Sequence, residues 1–465
     1  MTIDQIFSLG PALADFVDQF SDCFGRSEPR GHLASYIRGQ LSNLPRKSVE
    51  PIAAFVGVAP RTLQEFLGTD EWQQEKLRDR VQQIVVRDHA DPQAIGIIDD
   101  SGHPKKGNKT ACVSRQYCGN TGKIDNCVVT VHLGFASYDT RFRTMLDSTL
   151  YLPKDGWDEA RRRAARIPDD VRYRPKYVMA LEQLDRALAN GVRFGWITAD
   201  EWYAKFPVFV DGLEERGQRF VLEVPRNTLG WLFFPEDLQV APKRVDNLCR
   251  YSRPMMRQPW TRFHVKDTDK GPMVWEVKAA PFWAWRGGKV CGPYWLVLAR
   301  NVLDPKEQKS FLSDAAPGTP LEVILHVAFS RWPIERCFED EKTELGLSHF
   351  EVRRYPSILR HLLITQVSHL FLAQQNCRLR GEKSGGHRVP GAHRGRRLDR
   401  RPAALSQRPA GATGQGGRRH PANAKQKRPI PSVPYEDTPQ TARRTQHHPQ
   451  STTLLHTSLT NQGAL

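Results

Sequence analysis

Three carboxylate contexts, spread over most of a 465-residue chain, have the residue types and spacing for phosphodiester chemistry. They are Ile98-Asp99-Asp100-Ser101, Ala199-Asp200-Glu201, and Arg331-Trp332-Pro333-Ile334-Glu335 followed by Lys342. In the first two, an acid stands where an apolar β run gives way to polar sequence. Two such acids and a third carboxylate can hold two divalent cations, one beside the attacking oxygen and one beside the leaving oxygen of an in-line displacement. Hard oxygen donors suit Mg2+, or Mn2+ in its place. The third context reads as a helix. At about 100° per residue, Arg331, Glu335, Phe338 and Lys342 fall within one narrow stripe, so a carboxylate and two cations share a face. The competing reading of Arg331 and Glu335 is a surface ion pair one turn apart, worth ~0.3–0.5 kcal/mol. With the arginine first, that pair has the less favourable orientation.

Strands must deliver the two aspartates. Apolar runs place them at Ala94–Asp99 and Arg193–Ala199, so both acids come at strand ends, where parallel sheets commonly carry their sites. Successive strand residues point to opposite faces, so only one of Asp99 and Asp100 can face a site, and spacing leaves both as candidates. Further strands read at 126–136 and 141–151, a hairpin across 137–140, and at 219–224; helices read at 158–166, 175–190 and 208–216. This β-β-β-α-β-α order is that of a ribonuclease H-like sheet. Residues 226–302 break the rhythm with dense Trp, Phe and Pro and with alternation at 261–265, 273–278 and 294–299, so they read as a β-rich insertion. Within it, alternation puts Trp283 and Trp285 on one face, expected to pack in a β core. Helices follow at 321–329, around Glu335, and at 358–372, and Trp332 is expected in the core.

The fold class is therefore α/β: a ribonuclease H-like mixed sheet with a β-rich insertion, preceded by a helical N-terminal domain. The boundaries read as 1–90 for a helical, DNA-binding domain, 91–225 and 303–380 for the two parts of the core, and 226–302 for the insertion. Residues 48–67 look like helix, Gly57-containing turn, helix, which fits either a helix-turn-helix carrying Arg61 and Gln64 toward a groove or a plain helical hairpin. The Gly/Pro loop after Asp100 carries Lys105, Lys106 and Lys109, placed to meet phosphates or simply a solvated turn. From 381 to 465 the composition turns to Gly, Pro, Arg, His and Gln with almost no aromatics, which predicts a disordered basic tail. Such composition also resembles a GC-rich gene read out of frame.

The net charge of +17 and pI of about 9.6 make a polyanion the expected partner. No stretch approaches the ~18 apolar residues of a transmembrane helix, and the first residues lack a signal-peptide pattern, so a cytoplasmic protein without membrane association is expected. The eight cysteines include no C-x-x-C pair. That argues against a zinc ribbon or a disulfide framework and for reduced, structural thiols. A cationic field is also unneeded by a paired-carboxylate glycosidase.

These residues resemble the insertion-sequence transposases that carry a DDE triad on a ribonuclease H-like fold with a β-strand insertion. The family signature is a tyrosine, an arginine three residues on, a glutamate four after that and a lysine seven further; Arg331, Glu335 and Lys342 match it, and Ala328 stands where the tyrosine belongs. The run from Ile98 through Lys106, with 115–126, is similar to the block around the first catalytic acid, and 197–203 resembles the second. The resemblance spans about 30–375. It implies Asp99, Asp200 and Glu335 as catalytic metal ligands, with Ser101 standing for the threonine that follows the first acid and thus favouring Asp99 over Asp100. It further implies Arg331 and Lys342 on the phosphates of the element end, Mg2+ or Mn2+ as cofactor, and element ends and target DNA as partners. A homodimer in a synaptic complex, on the bacterial nucleoid, is the corresponding assembly.

Overall fold

Some element boundaries near the acids carry plain local signals in the sequence, and others are set by strand pairing. The structure, a computed structural model, describes residues 7–138, 142–236, 239–268 and 271–383. The N-terminal helices are α1 (Leu9–Asp18), α2 (Ser27–Leu41), α3 (Val49–Val56), α4 (Pro60–Gly68) and α5 (Gln74–His89). Gly57 ends α3 in the left-handed region at φ 76°, and Pro60 opens α4 at its first position, where a missing N–H costs nothing. Then come β1 (Ile95–Pro104), β2 (Ser114–Cys118), β3 (Lys123–Ala136), β4 (Arg143–Leu150), α6 (Glu159–Ala164), α7 (Lys176–Ala189), β5 (Trp196–Ala199), α8 (Glu201–Ala204), α9 (Pro207–Glu215) and β6 (Phe220–Glu223). The next stretch holds β7 (Leu229–Trp231), β8 (Lys243–Arg244), α10 (Val245–Tyr251), α11 (Arg253–Arg257), β9 (Thr261–Thr268), β10 (Gly271–Arg286) and β11 (Lys289–Asn301). The chain closes with β12 (Gln308–Ser313), α12 (Leu321–Phe329), α13 (Trp332–Thr343) and α14 (Tyr355–Lys383).

One mixed sheet runs β2-β3-β1-β5-β6-β12-β11-β10-β7-β8, with β4 on β3 and β9 on β10. Only the β1-β5-β6 segment pairs in parallel; every other pairing is antiparallel. One face carries α7 and, through α14, the N-terminal helices. The other carries α12 and α13. The strands of 229–301 therefore extend the same sheet as the acids, because β12 returns to pair with β6. The N-terminal helices dock on α14 through buried polar contacts as well as apolar ones. Tyr36 Oη lies 2.9 Å from His361 Nδ1, Gln40 Nε2 donates to Thr365 Oγ1 at 2.7 Å, and Ser368 Oγ donates to Gln40 Oε1 at 2.8 Å.

Several expectations shift. The strand expected to stop at Asp99 runs on to Pro104, since β3 continues to pair with it after β5 has left. The segment 114–118 forms the edge strand β2, which its polar composition did not announce. Conversely β5 begins only at Trp196, because the Gly195 and Trp196 amides both turn onto the Ala94 carbonyl. All eight cysteines are free thiols, as expected, and most are buried. Among the described residues no helix is long and apolar enough to cross a membrane. The expectations for 381–465 lie outside the described residues, apart from the end of α14.

Two side-chain environments set how α13 sits on the sheet. Gly134, on β3, lies under Ile334, and a Cβ there would stand 3.2 Å from Ile334 Cδ1. Larger side chains must lift the helix. Gly134→Val is expected to cost about 1–3 kcal/mol of stability, read as a lower urea midpoint; an unchanged midpoint would contradict the close approach. Glu341, on the same helix, is fully buried, and neither carboxyl oxygen has a hydrogen-bond partner among the described residues. Burial pushes its pKa up to about 8. The folded protein thus keeps a proton that the unfolded chain, with a Glu pKa of about 4.3, has already lost. The stability tied to that proton is complete below the unfolded value and is lost as pH rises through about 8. Glu341→Gln should therefore stabilise the protein by about 2–4 kcal/mol in mildly alkaline buffer and progressively less toward pH ~4.5. A pH-independent difference in denaturation would count against it.

Candidate active site

Parallel register brings the first two acids together. Ile98 of β1 pairs with Ala199 of β5, and Ala199 pairs with Leu222 of β6. The next residue on each strand is an acid: Asp99, Asp200 and Glu223. With the strands about 4.8 Å apart and side chains alternating, the three carboxylates form a row on the face that carries α13. Asp200 also leaves its strand as the N-cap of α8, its Oδ1 accepting from the amides of Trp202 at 3.0 Å and Tyr203 at 3.3 Å. That capping fixes the carboxylate's position.

Helix α13 lowers Arg331 onto this row. Its guanidinium pairs with Asp99 Oδ2 at 3.3 Å and with Glu335 Oε1 at 2.8 Å, so it bridges the strand acid and the helix acid. Asp99 is 18% exposed and Glu335 47%. Burial, opposed by Arg331 and reinforced by Asp200 and Asp100, pushes the Asp99 pKa up to about 7. Burial raises Asp200 as well. A cluster of this kind is short of positive charge. Its donor set of hard carboxylate oxygens fits a divalent cation, although among the described residues no three His, Cys, Asp or Glu groups stand together as a formed metal site.

Asp100 faces the opposite side of β1, where Lys176 of α7 pairs with it at 2.8 Å. The structure thus separates the two adjacent candidates: Asp99 shares a face with Arg331 and Glu335, and Asp100 does not. Lys342 lies on the Asp99 side, its charge interacting with that carboxylate, while burial lowers its pKa. Lys105 turns inward instead of toward solvent. Its ammonium donates to the carbonyls of Ser348 at 3.1 Å and Phe350 at 2.8 Å and stands 3.4 Å over the Phe350 ring, and burial lowers its pKa to about 7. Lys106 and Lys109 are exposed on the loop. Arg61 lies far along the chain on α4, exposed and paired with Glu65 at 2.6 Å.

Aromatic expectations are corrected. Trp332 is 45% exposed, because at the first position of α13 it points away from the sheet, with Arg143 at 5.9 Å from its ring. Trp283 and Trp285 do share a face of β10, but the buried face is that of Phe282, Ala284 and Arg286. The two tryptophans lie on the more open side, near Phe234 and Trp231. Ala328 is buried on α12 and, with Phe329, Arg331, Trp275 and Glu335, lines a cavity of about 230 Å3 beside the acids.

Sequence reasoning missed Glu223, whose carboxylate is held by Lys309 at 2.9 Å and whose charge reaches Arg331. The apolar Phe220-Val221-Leu222 run ending in an acid was the available signal. It also missed a buried chain behind Asp99. Ser348 Oγ contacts His103 Nδ1 at 2.9 Å, His103 Nε2 contacts Thr130 Oγ1 at 2.9 Å, Thr130 Oγ1 contacts His132 Nε2 at 2.5 Å, and His132 Nδ1 contacts Ser148 Oγ at 2.5 Å. His132 pairs across from Asp99 in the sheet and packs against Phe338 of α13. Burial lowers both histidine pKa values, His132 to about 3, so the chain stays uncharged at neutral pH.

Two comparisons relate the chain to known proteins. The chain is 25% identical over 323 residues to a probable transposase for insertion sequence element IS701 from Microchaete diplosiphon, an alignment covering 69% of this chain and 76% of that relative. The family description "DDE superfamily endonuclease" matches residues 19–288, which include Asp99, Asp200 and Glu223. Matched over more than half its length, the chain belongs to the DDE superfamily endonuclease family.

Proposed function

We propose that this protein is a DNA transposase that cuts the ends of an insertion element and joins them to target DNA. One observation carries the reading: adjacent parallel strands place Asp99 beside Asp200, and Arg331 ties Asp99 to Glu335 on the helix above. In this reading Asp99, Asp200 and Glu335 hold Mg2+ or Mn2+. Bound there, such ions supply a more acidic nucleophile and a charge clamp on the scissile phosphate. The chain's own residues do the rest. Arg331 and Lys342, on the stripe shared with Glu335, would contact the phosphate backbone of the element end through charge-assisted hydrogen bonds. Asp200 is held through its Oδ1 by the two capping bonds. Residues 1–90 act as the DNA-binding domain and 226–302 as the family's β-strand insertion. Two copies synapse two ends on DNA.

The decisive assay is cleavage of a supercoiled plasmid carrying the flanking element ends, with Mg2+ and with EDTA. Asp99→Asn, Asp200→Asn and Glu335→Gln are each expected to abolish cleavage while leaving end binding within about twofold, since each removes a ligand and keeps the shape. Normal cleavage by E335Q would overturn the triad. Asp100→Asn is expected to retain cleavage, because its carboxylate is held by Lys176 on the other face. Loss of cleavage by D100N with retention by D99N would exchange the two assignments. A pre-cut end that yields no strand-transfer product would reduce the protein to a nuclease.

A further inference from the structure

Another surface of the protein gathers arginines from three separate segments. A cleft of about 530 Å3 is walled on one side by α4, through Arg61 and Gln64, and on the other by Arg166, Arg353 and Arg354. These four arginines are exposed. Arg61 is paired with Glu65, but Arg166, Arg353 and Arg354 make no ion pair among the described residues. Glu50, Glu65 and Glu351 also line the cleft, with Glu65 taken up by Arg61 and Glu351 by Arg46. Arg166 also borders a neighbouring cleft of about 360 Å3 with Arg162 and Arg163, where Arg163 is paired with Glu159, Arg162 donates to the carbonyls of Pro168 and Val171, and Asp169 adds a further acid.

The wall is built, not loose. The Ala111 amide donates to the Arg353 carbonyl at 2.8 Å, and the Tyr355 amide donates to the Ala165 carbonyl at 2.9 Å, so the segments bearing Arg353, Arg354 and Arg166 are stitched together. Arg166 itself has φ 52°, a left-handed backbone in which glycine is the usual residue. An arginine kept there is held at a backbone cost. Guanidinium groups present planar forks of donors that match phosphate oxygens, and several of them along one groove fit the repeating charge of a nucleic-acid backbone better than an isolated carboxylate.

We infer that this cleft holds the phosphate backbone of duplex DNA, with Arg166, Arg353 and Arg354 gripping the strand whose groove faces α4. The inference rests on the transposase reading and adds a surface to it. The cleft also joins the two ends of the molecule's function. Arg353 and Arg354 follow α13 by a short loop whose carbonyls at Ser348 and Phe350 are held by Lys105, on the extension of the Asp99 strand. Along the chain, this surface is separated from Glu335 by the last two turns of α13 and that loop.

The test is fluorescence anisotropy of a labelled mixed-sequence duplex against the full-length protein over a salt series. Three proteins are compared: wild type, Arg166→Ala/Arg353→Ala/Arg354→Ala, and the charge-matched control Arg253→Ala/Arg257→Ala/Lys306→Ala, whose residues are exposed elsewhere. Removing three phosphate contacts is expected to lower the slope of log K against log salt by ~2.7 and to weaken binding by at least about tenfold, with the control close to wild type. Equal slopes in the two triple variants, with wild type binding normally, would overturn this inference alone. Wild type that fails to bind duplex at low salt would instead overturn the transposase reading, and this inference with it.

Discussion

Carboxylates set side by side just past the last parallel pair of β1 and β5 are both buried and alike in charge, and the structure around them answers that constraint. Asp99 and Asp200 are neighbours because Ile98 and Ala199 are paired, and nothing short of a shift in register can part them. Burial above all pushes both toward protonation, with Asp200 and Asp100 adding to the effect at Asp99 and Asp100 adding to it at Asp200. Arg331 answers part of the deficit, and its two ion pairs hold Glu335 close to the strand acids. In the proposed reading a divalent cation would relieve what Arg331 leaves uncompensated.

The helix that carries Arg331 and Glu335 can meet the sheet closely for two reasons. Gly134 leaves room for Ile334, and an uncharged chain of hydroxyls and imidazoles fills the polar space behind His132 and Phe338. Charged histidines in that space would face Lys342, so keeping them neutral lets the lysine approach Asp99. α14 then locks the far side, binding the N-terminal helices through Gln40 and Tyr36. The acids, the helix and the N-terminal segment are in this sense one packed object.

Much of this was legible in the amino-acid sequence. An apolar run that stops at an acid announces a strand-end carboxylate, which is why Asp99 and Asp200 stood out, and the helical stripe of Arg331, Glu335 and Lys342 follows from spacing alone. The choice between Asp99 and Asp100 did not, since alternation says that they differ and not which faces the helix; only the position of α13 decides. Glu223 was hidden because its strand is four residues long and its acid looks like any surface glutamate. Lys105 looked like a solvated loop cation, and its capture by two carbonyls depends on a loop more than two hundred residues away, a contact that no local pattern encodes. Likewise, the exposed face of Trp283 and Trp285 depends on which side of β10 meets the rest of the protein. Alternation supplies the parity, not the direction.

The order of the strands has a consequence for how the protein comes into being. β6 waits for β12, some ninety residues later in the chain, before its second edge is paired, and α13 follows only after that. During synthesis the ribosome therefore releases two of the acids long before the helix that bears Arg331 and Glu335. A growing chain therefore carries Asp99 and Asp200 before it carries Arg331 and Glu335, so the ion pairs that tie the helix to the strand acid form only after most of the described residues have been made.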